Sequence, residues 1–187
     1  KKSHIITSTA EHSAIYKSVE QLTELGIEVS YVNVNENCQV DPGDIEQLIR
    51  PNTTLISIML ANNEVGTIQP IQEIVKIAHA KGCLVHTDAT QALGKMALDL
   101  KELGVDYASF SGHKCYAPKG IGIMYVKDDQ TLMPLLTGGA QERTLRAGTE
   151  NIALAAAFAD ALQILKDQQE SYWARVENLK DCLWNTL

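Results

Sequence analysis

Ser111-Gly112-His113-Lys114 puts a hydroxyl, an imidazole and a primary amine side by side. The stretch follows the apolar run Tyr107–Phe110 and precedes Lys119-Gly120-Ile121-Gly122. An amine at such a strand-to-loop junction is expected to be partly desolvated, which lowers its pKa and frees its lone pair for attack on a carbonyl. A lone lysine is ordinarily a solvated surface residue, but here Ser111 and His113 can donate to an anion that sits beside it. A nucleotide-binding P-loop does not fit, because Lys119 follows Pro118 and not glycine.

An amine, an anion cradle and a carboxylate together are what pyridoxal phosphate requires. The amine takes its carbonyl, the cradle its phosphate and the carboxylate its ring nitrogen. Asp88, at the end of the apolar run Leu84-Val85-His86, is the candidate carboxylate. The alternative is that Asp88 caps a helix running from Thr90. Gln91 is placed to reach the ring hydroxyl, and Asn63 either touches the ligand or shapes a turn. His12, ahead of the first helical pattern, is a candidate contact or a cap. Gly138-Gly139 through Arg146-Ala147-Gly148-Thr149 combines glycines, two arginines and a threonine before a helix. It reads equally as an anion site or as a solvated loop with Thr149 as N-cap.

These residues need elements to hold them apart and aim them. Strand patterns cover His4–Ser8, Glu28–Val34, Thr54–Ala61, Leu84–Asp88, Asp106–Ser111 and Gly122–Val126. Helical patterns cover Ser13–Leu25, Asp44–Arg50, Ile71–Lys81 and the stretch from Asn151 towards the C-terminus, with Gly26 and Gly82 as C-terminal caps and Pro51 as a stop. Strands separated by helices predict an α/β fold, a three-layer α/β/α arrangement around a mainly parallel sheet. Ligands of such sheets lie beyond the carboxyl ends of the strands. Asn62-Asn63-Glu64, Asp88–Gln91 and Ser111–Lys114 all fall there.

Composition narrows the function classes. A net charge of −7 over 187 residues disfavours a nucleic-acid or anionic-membrane surface, and no apolar run reaches the ~18 residues of a membrane span. Cys38, Cys83, Cys115 and Cys182 lack paired spacing, so neither a disulfide framework nor a zinc site is expected. Cys83 and His86 face opposite sides of one strand, which argues against a shared metal. The chain opens without an initiator Met and stops inside a helical pattern, so both ends read as cut.

Taken together, the motifs resemble the cysteine desulfurases of the NifS/IscS type. The residues that carry the likeness are Ser111–Lys114, Tyr116, Pro118–Gly122, the Gly139-x-Gln141-Glu142-x-x-x-Arg146-x-Gly148-Thr149 run, Asn62–Gly66, His86–Gln91, and Thr7-Ser8 with Glu11-His12. The resemblance covers essentially the whole chain. It implies a fold-type I pyridoxal phosphate enzyme, bacterial-type and cytoplasmic with an organellar setting as the alternative, that takes sulfur from L-cysteine and leaves L-alanine. The enzyme would be a homodimer that passes sulfur to an acceptor or scaffold protein for iron–sulfur cluster assembly or thiolation.

By the same resemblance, Lys114 would bond the cofactor and shuttle the α-proton. Asp88 would pair with the ring nitrogen, His12 would stack on the ring, and Asn63 and Gln91 would contact the ring-hydroxyl region. Ser111 and His113 would hold the phosphate, joined by Thr149 of a second copy. Residues 1–170 would be part of the cofactor-binding large domain and 171–187 a helix leading to a small domain. Ala117, Ala140 and Cys115 depart from the usual residues without removing a donor. None of the four cysteines matches the family's sulfur-accepting cysteine, which lies on a downstream loop. A related lyase or aminotransferase on the same fold, or an incomplete cofactor-binding fragment, are the competing readings.

Overall fold

The structure is a computed structural model that describes residues 3–127 and 132–187. Six strands form one sheet: β1 His4–Ser8, β2 Glu28–Val32, β3 Thr53–Ser57, β4 Leu84–Asp88, β5 Tyr107–Ser111 and β6 Gly122–Val126. Their spatial order is β2-β1-β3-β4-β5-β6. The first five are parallel, and β6 returns antiparallel along β5. Helices α1 Ser13–Glu24, α2 Pro42–Leu48, α3 Ile71–Ala80 and α4 Leu100–Leu103 lie between strands, and α5 Ile152–Thr186 follows them. The fold is the α/β architecture that the strand–helix alternation predicts.

Residues of alternate parity separate the two faces of the sheet. On one face Ile6, Ile56, Val85 and Ala108 are fully buried and join Ile45, Ile71, Ile74 and Ala78 in the main core. The period of α3 is visible there, since Ile71, Ile74, Val75 and Ala78 are its buried residues. The other face carries Ile5, Leu55, Leu84, His86 and Tyr107, with Ile15, Val19 and Leu22 of α1 beside it. Asp88 and Ser111 continue that second face to the carboxyl ends of β4 and β5.

At the opposite end of the sheet His4 is fully buried and ties three strands together. Its ring nitrogens bond Thr53 Oγ1 at 2.7 Å and Ser30 Oγ at 2.9 Å.

Several expected boundaries move. The run after Ser57 leaves regular strand geometry, yet Ile58 and Leu60 still donate to the His86 and Asp88 carbonyls at 3.1 and 2.9 Å. The expected helix from Thr90 is a series of turns instead, opened by Ala92 and Leu93 donating to the Ala89 carbonyl. Two short elements escape the periodicity argument because they are a single turn each. One is α4, closed by Gly104 at φ 78°. The other is the 3₁₀ turn Gly112–Cys115, which carries the candidate lysine.

Candidate cofactor site

Strand order reverses at β1, which has β2 on one side and β3 on the other. Open α/β sheets bind ligands at that switch point, beyond the carboxyl ends of the strands. A cavity of about 270 Å³ lies there, close to the lower end of small-molecule pockets (roughly 300–1,000 Å³). Its walls come from four strand exits. The turn after β1 supplies His12, and the segment after β3 supplies Met59, Ala61 and Asn63. β4 and its following turn supply Asp88, Thr90 and Gln91, and β5 with the 3₁₀ turn supplies Ser111, His113 and Lys114. Seven of the eight residues singled out from the sequence therefore meet in one place, and Thr149 is the exception.

Each side chain is aimed by a nearby bond. His12 is the N-cap of α1, its Nδ1 accepting from Ala14 N at 3.1 Å, so a neutral ring carries its proton on Nε2. Asn62 makes the turn after β3: its Oδ1 accepts from Glu64 N and Val65 N at 2.9 and 3.0 Å, and its Nδ2 donates to Ala10 O at 3.2 Å. Asn63 is thereby relieved of turn-making and lines the cavity. The sequence could not decide which of the two asparagines did which job.

Asp88 Oδ1 accepts from Thr90 N at 3.0 Å, and its carboxylate makes no other hydrogen bond or ion pair among the described residues. Gln91 Oε1 is taken by the Lys95 ammonium, which leaves the two amide hydrogens as its remaining polar function. Lys95 was not a sequence candidate, although it stands one helical turn beyond Gln91. Ser111 Oγ and His113 Nδ1 are 2.7 Å apart and form a joint polar edge.

Lys114 is exposed, and among the described residues its ammonium makes no hydrogen bond or ion pair. The desolvation expected for it from the sequence is not supplied by the surrounding residues of this chain. Its backbone, by contrast, is firmly held. Gly112 N donates to Ile121 O at 3.0 Å and Ala117 N to Gly112 O at 3.1 Å. A methyl group at Gly112 would sit 2.9 Å from Ile121 Cγ2, so only glycine lets β6 pass this closely. Cys115 is buried with Ala117 against Phe158 of α5, and Tyr116 Oη meets Tyr172 Oη of the same helix at 2.7 Å.

Thr149 lies in an exposed loop outside the cavity and does not cap the helix that follows. That role belongs to Asn151, whose Oδ1 accepts from Leu154 N at 3.1 Å. No cysteine lines the cavity either. Cys115 points inward, its Sγ donating to Leu93 O at 3.2 Å, and burial pushes its thiol pKa up. Adjacent residues of the turn thus present Lys114 to the cavity and Cys115 to the core.

Glu11 is the residue that inspection of the sequence underused. Its carboxyl accepts from Ser8 Oγ at 2.6 Å and Met59 N at 2.9 Å. Burial pushes its pKa up to about 7, against the lowering effect of those two bonds, and the Asp88 charge adds to the rise. The Ser8-x-x-Glu11 spacing was the available signal.

The donor set suits pyridoxal phosphate. A single cavity offers a carboxylate, an amine, an amide donor, an imidazole and a hydroxyl–imidazole pair, drawn from the exits of β1, β3, β4 and β5.

Known proteins resemble this chain along its whole length. The profile described as Aminotransferase class-V matches residues 1–187. Cysteine desulfurase IscS of Dictyoglomus turgidum is 43% identical over 181 residues, which cover 97% of this chain and 46% of that protein. The mitochondrial cysteine desulfurase of Saccharomyces cerevisiae is 42% identical over 184 residues, 97% of this chain and 37% of that protein. Among solved structures, a NifS-like protein superposes with a TM-score of 0.94 at 41% identity, covering 99% of this chain and 51% of its own. SspA in complex with cysteine superposes at 0.84 with 40% identity, over 87% of this chain and 47% of that one. The chain spans about half the length of the curated relatives it matches. Matched by the family profile along its whole length and sharing the fold of its relatives, it belongs to the class-V aminotransferase family of pyridoxal phosphate enzymes, on the side of the NifS/IscS-type cysteine desulfurases.

Proposed function

We propose that this chain forms the cofactor-binding core of a cysteine desulfurase, which removes sulfur from L-cysteine and releases L-alanine. The observation that carries the reading is the meeting of Lys114, Asp88, Gln91, His12, Ser111 and His113 in one strand-exit cavity. Relatives named cysteine desulfurase, and a neighbour solved in complex with cysteine, support the choice of substrate.

Pyridoxal phosphate, when bound, supplies a carbonyl for amines and a ring that draws electrons from the substrate α-carbon. Lys114 Nζ would hold the cofactor through that carbonyl, and the same amine would be the base for the α-proton. Its exposure leaves room for a substrate amine to approach. Asp88 would hold a proton at the ring nitrogen through a charge-assisted hydrogen bond. Gln91, its oxygen occupied by Lys95, would offer its amide hydrogens to the ring hydroxyl, with Asn63 beside it. His12 would pack against the ring, and Ser111 and His113 would bind the phosphate.

The residue that receives sulfur is a thiolate outside the four cysteines of this chain. We place Thr149 at the phosphate of a second copy, which makes the working unit a homodimer, with residues 1–170 as its cofactor-binding domain and 171–187 as the start of a connecting helix. An acceptor or scaffold protein would take the sulfur onward in the cytoplasm.

The experiment is spectroscopic and chemical, on the full-length protein loaded with pyridoxal phosphate. With a reducing thiol such as dithiothreitol present to release the persulfide sulfur, L-cysteine is expected to yield sulfide and alanine in equal amounts, and a keto acid in their place would move the reading to an aminotransferase. A Lys114→Ala protein that still showed a borohydride-reducible absorbance band would sink the lysine assignment.

A further inference from the structure

The turn between β1 and α1 is tied down more heavily than a four-residue connection requires. Thr9 N donates to Val32 O at 3.0 Å, Ala10 N to Ser8 Oγ at 3.3 Å, and Ala10 O accepts from Asn62 Nδ2 at 3.2 Å. At its centre Glu11 Oε1 accepts both from Ser8 Oγ, at the end of β1, and from Met59 N, just beyond β3. These are the two strands that flank the switch point. Met59 itself lines the cavity, and so does His12, the next residue after Glu11.

A carboxyl is a costly choice for this position. Glu11 Oε2 is buried and has no hydrogen-bond partner among the described residues. A buried, half-satisfied acid normally costs stability. The titratable groups that face it are Asp88 on β4 and His12 on its own turn, with Glu64 and Cys38 across the adjoining cavity that Glu11 also lines. None of them is a cation partner for Glu11. What the carboxyl gains is a short reach to two donors on different strands, from the residue that precedes His12.

We propose that Glu11 is a positioning residue, a strut that binds the Thr9–His12 turn to the exit of β3 and thereby fixes the His12 ring over the cavity shared by Asp88 and Lys114. The inference rests on the cofactor reading above for the use made of His12, and on geometry alone for the strut. A glutamine keeps the accepting oxygen without the charge. An alanine leaves the Met59 N–H buried and unpaired.

Two measurements on the full-length protein test it with Glu11→Gln and Glu11→Ala. In the cofactor-free protein, NMR of the His12 imidazole is expected to be unmoved by E11Q and displaced and broadened by E11A. In the pyridoxal phosphate-loaded protein, E11Q is expected to release cofactor within about twofold of the parent rate and to keep the induced circular dichroism of the bound cofactor. E11A is expected to release it on the order of tenfold faster or more, with that signal reduced.

An E11A protein that matches the parent in both measurements, or an E11Q protein as damaged as E11A, overturns the strut. If E11A does not fold, Ser8→Ala removes one of the two donors and is expected to displace the His12 resonance by a smaller amount, and an unmoved resonance overturns the proposal. A parent protein that binds no pyridoxal phosphate strikes the cofactor reading, while the His12 resonance still decides the strut.

Discussion

Two glycine-flanked polar segments of this chain offer themselves to an anion, Ser111–Lys114 and Gly138–Thr149, and the structure treats them differently. The first leaves a paired strand, folds over a buried cysteine and is backed by Phe158, which is 2% exposed. The second is almost wholly exposed. Its Arg146 guanidinium turns back onto Ala147 O at 2.8 Å, and Glu142, Arg143 and Thr144 take left-handed backbone angles of 47°, 55° and 68°. Such angles cost roughly 1–2 kcal/mol per non-glycine residue. Similar residue types thus give a walled site in one place and an open loop in the other. Donors become a site when a scaffold gathers them around one cavity, as the strand exits do here.

The largest expected effect lies at Lys114. Lys114→Ala in the loaded full-length protein should lower the rate of sulfide release by about 10²–10⁴-fold or more, as loss of a positioned proton-transfer group does, with the chain's melting temperature unchanged. A loss of stability of similar size would mean that the exposed lysine is structural, and the contrast between the segments would break.

Next comes the support beneath it. Phe158→Ala should cost about 3–5 kcal/mol in denaturant unfolding, the usual cost of emptying a buried aromatic site. It should also weaken cofactor retention, because Cys115 and Ala117 lose their backing. An unchanged unfolding midpoint would show that the turn does not depend on α5.

A smaller effect separates pH from geometry. Burial raises the folded-state pKa of Glu11 to about 7 from the ordinary value of 4.5. Between those values the folded chain binds more protons than the unfolded one, so stability falls as pH rises. The contribution is complete below about pH 4.5 and gone above about pH 7, on the order of 3 kcal/mol across the window. Glu11→Gln should flatten that part of the stability–pH curve, and an unaltered slope would remove Glu11 as its source.

The smallest effect belongs to the open loop. Thr149→Ala should change chain stability by no more than about 0.5 kcal/mol, as surface substitutions do. Its consequence should show only as faster cofactor release from the proposed dimer. A large loss of stability in thermal unfolding would place Thr149 inside the fold of a single chain.

Much of this was legible in the residues. The strand patterns fell within a few residues of β1–β6, and the helical repeat of Ile71, Ile74, Val75 and Ala78 matched the buried stripe of α3. Gly26 and Gly82 follow their helices at φ 85° and 74°, as C-terminal caps should. What escaped were single-turn elements and capping choices. The turns after Asp88 look helical in sequence because Ala89, Ala92 and Leu93 are helix-compatible, yet Gly94 takes a φ of 74° within a few residues. Thr149 and Asn151 are both good N-caps, and only the path of the loop chose between them. The expected desolvation of Lys114 failed for a related reason, since burial depends on what packs over a residue and not on its neighbours in sequence.

The sequence by itself determined the chemistry available: which groups stand at the ends of apolar strands, and that an amine, a carboxylate and polar donors are among them. Periodicity and strand-end polarity are local properties, and a linear reading captures them. Only the tertiary structure decided that β3 crosses β1 to lie between it and β4, bringing His12, Asn63, Asp88 and Ser111–Lys114 to one cavity. It also decided that Glu11 faces Met59 across 48 positions of sequence. Those choices depend on which strand buries its apolar face beside which, an energy summed over the whole sheet and not carried by any one segment.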